Sequence, residues 1–126
     1  MTGLLPDGIL RSSVRYIPNG MHGKPMLVLP FRTELTARQI RQIADVIAEY
    51  TRVQTGTYQE VVPVTDDLLR VRNSIDAVPP LNSNYRIFQD TSNLSELVQA
   101  RIYILAESRC IEPKTLETFV KDVILQ

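Results

Sequence analysis

Few side chains in this sequence are of a type that does chemistry, and they are scattered. His22 is the only histidine, and it sits between Met21 and Gly23 in a stretch of breakers. A catalytic histidine needs an orienting partner and a positioned substrate, and no neighbour in the sequence supplies either. Gly20-Met21-His22-Gly23-Lys24 contains a Gly-x-x-Gly-Lys fragment. A phosphate-binding loop needs wider glycine spacing, a hydroxyl after the lysine and a following helix. Here Pro25 takes the hydroxyl position and an apolar, strand-like run follows, so the motif is rejected.

Cys110 is the only cysteine, which excludes an intrachain disulfide and fits a reducing compartment. It falls near an expected helix C-terminus, where the dipole disfavours a thiolate, so a buried structural cysteine is the better reading. Asp66-Asp67 follow Thr65 at an expected helix start, where acids complement the dipole. A calcium loop would need further acids at alternating positions, and Leu68-Leu69 occupy the next places. Arg38, Arg41 and Arg52 share a helix side with Asp45 and Glu49. Their spacing of three and four describes solvated ion pairs rather than a basic stripe. No metal or cofactor is expected from these residues.

Charge argues in the same direction. Lys+Arg and Asp+Glu both number 14, giving zero formal net charge. Nucleic-acid binders draw affinity from counterion release and usually carry a basic excess. Residues 1–58 carry 7 basic and 4 acidic groups, and residues 59–126 carry 7 and 10. The halves therefore stand at +3 and −3, a mild asymmetry. Eleven of the basic residues are Arg and three are Lys. That bias matches interface usage, although genome composition produces it equally well.

The elements that must position these groups follow from pattern. At 126 residues, 44% hydrophobic and 22% charged, the chain has the size and composition of one domain, taken as residues 1–126. Gly3, Pro6, Gly8, Pro18, Gly20, Gly23 and Pro25 exclude a helix from the first part. Val14–Ile17 and Met26–Leu29 read as a hairpin. Residues 1–13 before it read as an extended N-terminal arm carrying Leu4, Leu5, Ile9 and Leu10.

A helix over Thr36–Val53 is the clearest element. Thr36 and Gln39 make a capping box, Leu35 and Ile40 a hydrophobic staple, and Gly56 a stop. Ile40, Ile43, Ile47 and Tyr50 form its apolar face. Tyr58–Val64 reads as a strand, restricted to an edge by Pro63. A short helix over 65–73, a loop over 77–84 and a strand over Tyr85–Gln89 follow.

Two helices are expected to close the chain. One is capped by Ser92 or Ser95 and runs to about Arg109. The other opens at Glu112-Pro113 with a stripe of Leu116, Phe119, Val120, Val123 and Ile124. The expected fold class is α+β: a small, mostly antiparallel sheet of about four short strands with three to four helices packed on it.

Arg101 is the odd residue. On the expected helix over 94–109 it projects from an apolar arc containing Leu94, Leu97, Val98, Ile102, Ile104 and Leu105. An unpaired buried charge is costly, so two readings stay open. The stem lies over the core and the head reaches water. Alternatively, Leu97 and Ile104 meet a partner chain, with Arg101 pairing an acid at the seam.

These features point to a non-catalytic protein–protein interaction or assembly subunit of a homo-oligomer or larger complex, such as a component of a viral particle or other machine. Leu4, Leu5, Ile9, Leu10, Leu97, Arg101 and Ile104 are its candidate interface. The alternatives are a nucleic-acid accessory protein using Arg11, Arg15, Lys24 and Arg32, and an enzyme or small-ligand binder whose site leaves no sequence trace. No signal peptide or membrane-spanning run is visible, and a cytoplasmic or other intracellular location, including a virion, is expected.

Overall fold

The structure is a computed structural model and describes residues 5–20, 23–56, 61–64, 85–92, 94–106 and 114–125. The expected short helix over 65–73, the loop over 77–84, His22, Asp66-Asp67 and Cys110 lie outside the described residues, as does Leu4.

The chain forms strand β1 (Arg15–Ile17), strand β2 (Met26–Phe31), helix α1 (Ala37–Thr55), strands β3 (Val61–Val64), β4 (Tyr85–Asp90) and β5 (Ala100–Ala106), and helix α2 (Thr115–Phe119). Helix α2 widens into a π turn over Val120–Ile124, closed by the Leu125 N–H donating to the Val120 carbonyl at 2.9 Å. The five strands form one sheet in the order β1-β2-β5-β4-β3. Four of them are antiparallel neighbours, and β3 joins β4 in parallel at the far edge.

Helix α1 forms as its sequence dictates. The Thr36 hydroxyl accepts from the Gln39 N–H at 3.2 Å, and the Gln39 carboxamide accepts from the Thr36 N–H at 2.8 Å. Two of the otherwise orphaned N-terminal donors are thereby satisfied. Gly56 ends the helix at φ 73°, a left-handed position that costs glycine little. Ile40, Ile43, Ile47 and Tyr50 are all buried. They pack with Leu27, Leu29 and Phe31 of β2, Ile102 and Ile104 of β5, and Tyr85 and Ile87 of β4. The stripe of α2 and its π turn completes this layer: Leu116, Phe119, Val120 and Ile124 are buried, and Val123 packs partly against them. Tyr50 ties the two helices together. Its ring meets Phe119 edge-on at 5.3 Å, and its hydroxyl donates to Asp122 Oδ2 at 2.8 Å.

The hairpin, the edge placement of β3 with its Pro63, and the strand beginning at Tyr85 are found as expected. Pro30 lies inside β2, where a missing N–H would normally be unfavourable. The Phe31 carbonyl accepts from Gln99 N–H on the β5 side, so Pro30 faces the other way, and its carbonyl accepts from Leu10 N–H. On that side a short 3₁₀ turn (Arg11–Ser13) interrupts the edge strand, so no ladder donor is lost.

The helix expected between Ser92 or Ser95 and Arg109 does not form. Residues 100–106 are instead the central strand of the sheet, paired with β2 over 100–105 and with β4 over 101–106. Among the described residues the chain therefore has two α-helices rather than three or four. The physical reason is period. Ala100, Ile102, Ile104 and Ala106 alternate with Arg101, Tyr103 and Leu105, and Ile-Tyr-Ile suits a pleated surface better than a helix. The residues that extended the apparent helical pattern, Leu94 to Val98, belong to the β4–β5 connection. There Ser95 Oγ accepts from the Val98 N–H at 3.3 Å and Gln99 Nε2 donates to the Glu96 carbonyl at 3.1 Å.

Candidate functional site

The strand register sorts side chains onto two faces. One face carries the layer built with α1 and α2. The other carries Arg15 and Ile17 of β1, Met26, Val28 and Pro30 of β2, Arg101, Tyr103 and Leu105 of β5, and Arg86, Phe88 and Asp90 of β4. A second apolar cluster forms on it: Met26, Val28, Phe88 and Leu105 are buried, with Ile17 and Tyr103 packed against them. Phe88 and Tyr103 stack at 5.4 Å with their planes 24° apart. Phe88 is fully covered, and Tyr103 packs its ring against it.

At the β1–β2–β5 end this outer face opens into a groove of about 670 Å³. Met26, Val28 and Pro30 form its apolar floor. Arg15 and Ile17 line one side, Tyr103 and Arg101 the other, and Ser13 and Val98 its end. Arg15 is exposed and Arg101 half-buried. Neither guanidinium makes a hydrogen bond or ion pair among the described residues. The acid nearest in the register is Asp90, opposite Arg101 on β4. Its Oδ1 is already engaged, accepting from Ser92 N–H at 2.9 Å and Ser92 Oγ at 2.6 Å. The groove therefore combines an apolar floor with two guanidinium groups that no carboxylate holds. A second recess of about 320 Å³, lined by Gln54, Thr55, Thr115 and Thr118, carries no charged side chain.

The interface residues named from sequence are not brought together as one surface. Ile104 is fully buried between β2 and β4, against the helical layer, and presents nothing to a partner. Leu97 is 72% exposed in the β4–β5 connection, beside groove-lining Val98. Arg101 lines the groove on the opposite sheet face from Ile104.

Residues 5–10 lie along the chain's own β2. Ile9 bridges Phe31, the Arg32 N–H donates to the Gly8 carbonyl, and Leu5 and Ile9 pack on the core. Leu10 is half-buried, and its N–H holds Pro30. Arg11 then donates from Nη1 to the Ile124 carbonyl, closing the first part of the chain onto the last helical turn.

The other sequence candidates are placed as follows. The Gly20 N–H donates to the Lys24 carbonyl at 2.8 Å, and the Gly23 N–H to the Gly20 carbonyl at 3.0 Å. These amides close the turn on itself and do not cradle an anion. Arg52 pairs with Glu49 at 2.5 Å, which holds the Glu49 carboxyl below its usual range, chiefly through that hydrogen bond. Arg41 and Asp45, both exposed, form no pair. Among the described residues no three His, Cys, Asp or Glu side chains group to hold a metal, and no helix is long and apolar enough to cross a membrane.

Sequence reasoning named Arg101 and missed Arg15, Ser13 and Tyr103 as its company. The signal was present as Arg-x-Tyr within a strand-like run, whose alternation sets both residues on one face. Comparison of the chain with protein-family models, curated proteins and solved structures finds no match.

Proposed function

We propose that the protein is a non-catalytic interaction or assembly subunit that receives a partner chain on the β1–β2–β5 end of its outer sheet face. The observation that carries this reading is the groove itself, with its apolar floor and a solvent-exposed Leu97 beside its end. Interfaces are built around such apolar centres with a polar rim, and here Arg15, Ser13 and Arg101 supply the rim. A groove of this volume also lies in the range of small-ligand sites. Those sites enclose most of their ligand, however, and Arg15 and Ser13 stand exposed at this border.

Light scattering coupled to size exclusion, across tenfold dilutions at low and moderate salt, tests the self-assembling form of the proposal. A discrete oligomer that Leu97→Asp disperses supports it. A monomer at every concentration removes the homo-oligomer and leaves a different protein as the partner.

A further inference from the structure

We infer that the groove recognises an acidic partner segment: an extended stretch of another protein presenting two carboxylates that flank an apolar side chain. This inference rests on the docking reading above and names the chemistry of what docks.

The geometry follows from the register. Arg15 stands opposite Val28, and Val28 opposite Tyr103; Arg101 stands opposite Pro30, two residues further along. At ordinary sheet spacing the two arginine Cα atoms are roughly 12 Å apart. An extended chain places side chains i and i+4 on one face, about 13 Å apart, with side chain i+2 between them. Acids at i and i+4 thus meet the two guanidinium groups, while an apolar residue at i+2 rests on Val28 and Pro30. Arginine suits this task because its planar fork binds a carboxylate through two parallel hydrogen bonds. Neither arginine must first leave another acid, since neither has one among the described residues. Ser13 at the groove's end and Tyr103 on its β5 side add hydroxyls to the lining.

A nucleic acid would also bring negative charge. Its affinity grows with the number of phosphates neutralised, and a groove offering two arginines on a chain of zero net charge provides few. The apolar floor between the arginines matches a side chain better than a sugar–phosphate backbone.

The test uses the full-length, isotope-labelled protein and two probes: acetyl-Glu-Ser-Leu-Ser-Glu-amide and its twin with Gln in place of both Glu. Amide shifts at Val28, Arg101 and Tyr103 should move with the Glu peptide, which should bind at least about fivefold more tightly than the Gln peptide. Arg101→Gln should erase that preference. Arg15→Gln, at an exposed position, should reduce it independently if the first variant folds poorly. Equal binding of both peptides in the groove overturns the acidic inference and leaves the docking reading standing. No groove shift with either peptide at millimolar concentration overturns both. Groove signals that already move with protein concentration show a second copy in place, and tighter binding of a short oligothymidine shows a nucleic-acid site; either result overturns the inference.

Discussion

Replacing Ile104 by alanine removes three buried heavy atoms from the central strand of the sheet. Ile104 has no exposed surface and stands between Leu27 of β2 and Ile87 of β4, both also fully buried. Neighbours on two paired strands cannot collapse into the space without disturbing the ladder. The cost should therefore fall in the middle of the large-to-small range, about 3–4 kcal/mol. A domain of this length loses about 4 °C of melting temperature per kcal/mol, so Tm should drop by about 12–16 °C. Leu97→Ala provides the contrast. With Leu97 72% exposed, its truncation should cost no more than about 0.5 kcal/mol, or about 2 °C. On a helix over 94–109 the two positions would lie seven residues apart on one stripe and respond alike. Thermal melts followed by circular dichroism, on both variants and on the milder Ile104→Val (about 1 kcal/mol), measure the difference. Comparable losses for Ile104→Ala and Leu97→Ala would refute the placement of β5 and, with it, the outer face on which Arg101 and Arg15 meet.

Three further outcomes follow from named contacts. Thr36→Ala removes the acceptor for Gln39 N–H and breaks the capping box, which should cost about 1 kcal/mol in urea denaturation. Gly56→Ala meets no atom within 4 Å but places a side chain at φ 73°, so it should destabilise through backbone strain alone, by about 1 kcal/mol. Burial, followed by the hydrogen bond to Asp122 and its charge, raises the Tyr50 phenol above its ordinary value of 10.0. Because the folded state favours the protonated phenol, its stability contribution is fully present below pH 10 and is lost as pH rises further. Tyr50→Phe should flatten that alkaline decline in a pH series of melts; an unchanged decline would assign it to other groups.

Much of the architecture was legible in local chemistry. Thr36, Gln39 and Gly56 mark both ends of α1, because capping is decided within a few residues. Pro63 sends β3 to an edge because a missing donor is tolerated there, and the C-terminal stripe appears at the residues its spacing names. The expected helix over 94–109 arises because Leu94, Leu97 and Val98 supply a helical period that runs on into Ile102 and Leu105, where the chain is strand β5. Short apolar runs fit both periods, and strand pairing with β2 and β4 decides between them from far away in sequence. The difference carries into the site. On a helix, Arg101 shares a face with Leu97 and Ile104; on a strand, it shares one with Tyr103 and lies two strands from Arg15. The groove is assembled from β1, β2 and β5, so the linear sequence marks only its β5 part, through Arg101 and the Tyr103 that alternates with it.

The most direct test of the groove's proposed chemistry is a charge exchange at Arg15, whose side chain is exposed and makes no hydrogen bond or ion pair among the described residues. Fluorescence anisotropy would compare labelled Glu-Ser-Leu-Ser-Glu and Lys-Ser-Leu-Ser-Lys peptides on the wild-type protein and on Arg15→Glu. We expect the wild type to prefer the Glu peptide, and Arg15→Glu to weaken that binding by at least about tenfold while strengthening binding of the Lys peptide. Equal affinities of the Glu peptide for both proteins would contradict an acid-recognising groove on this face.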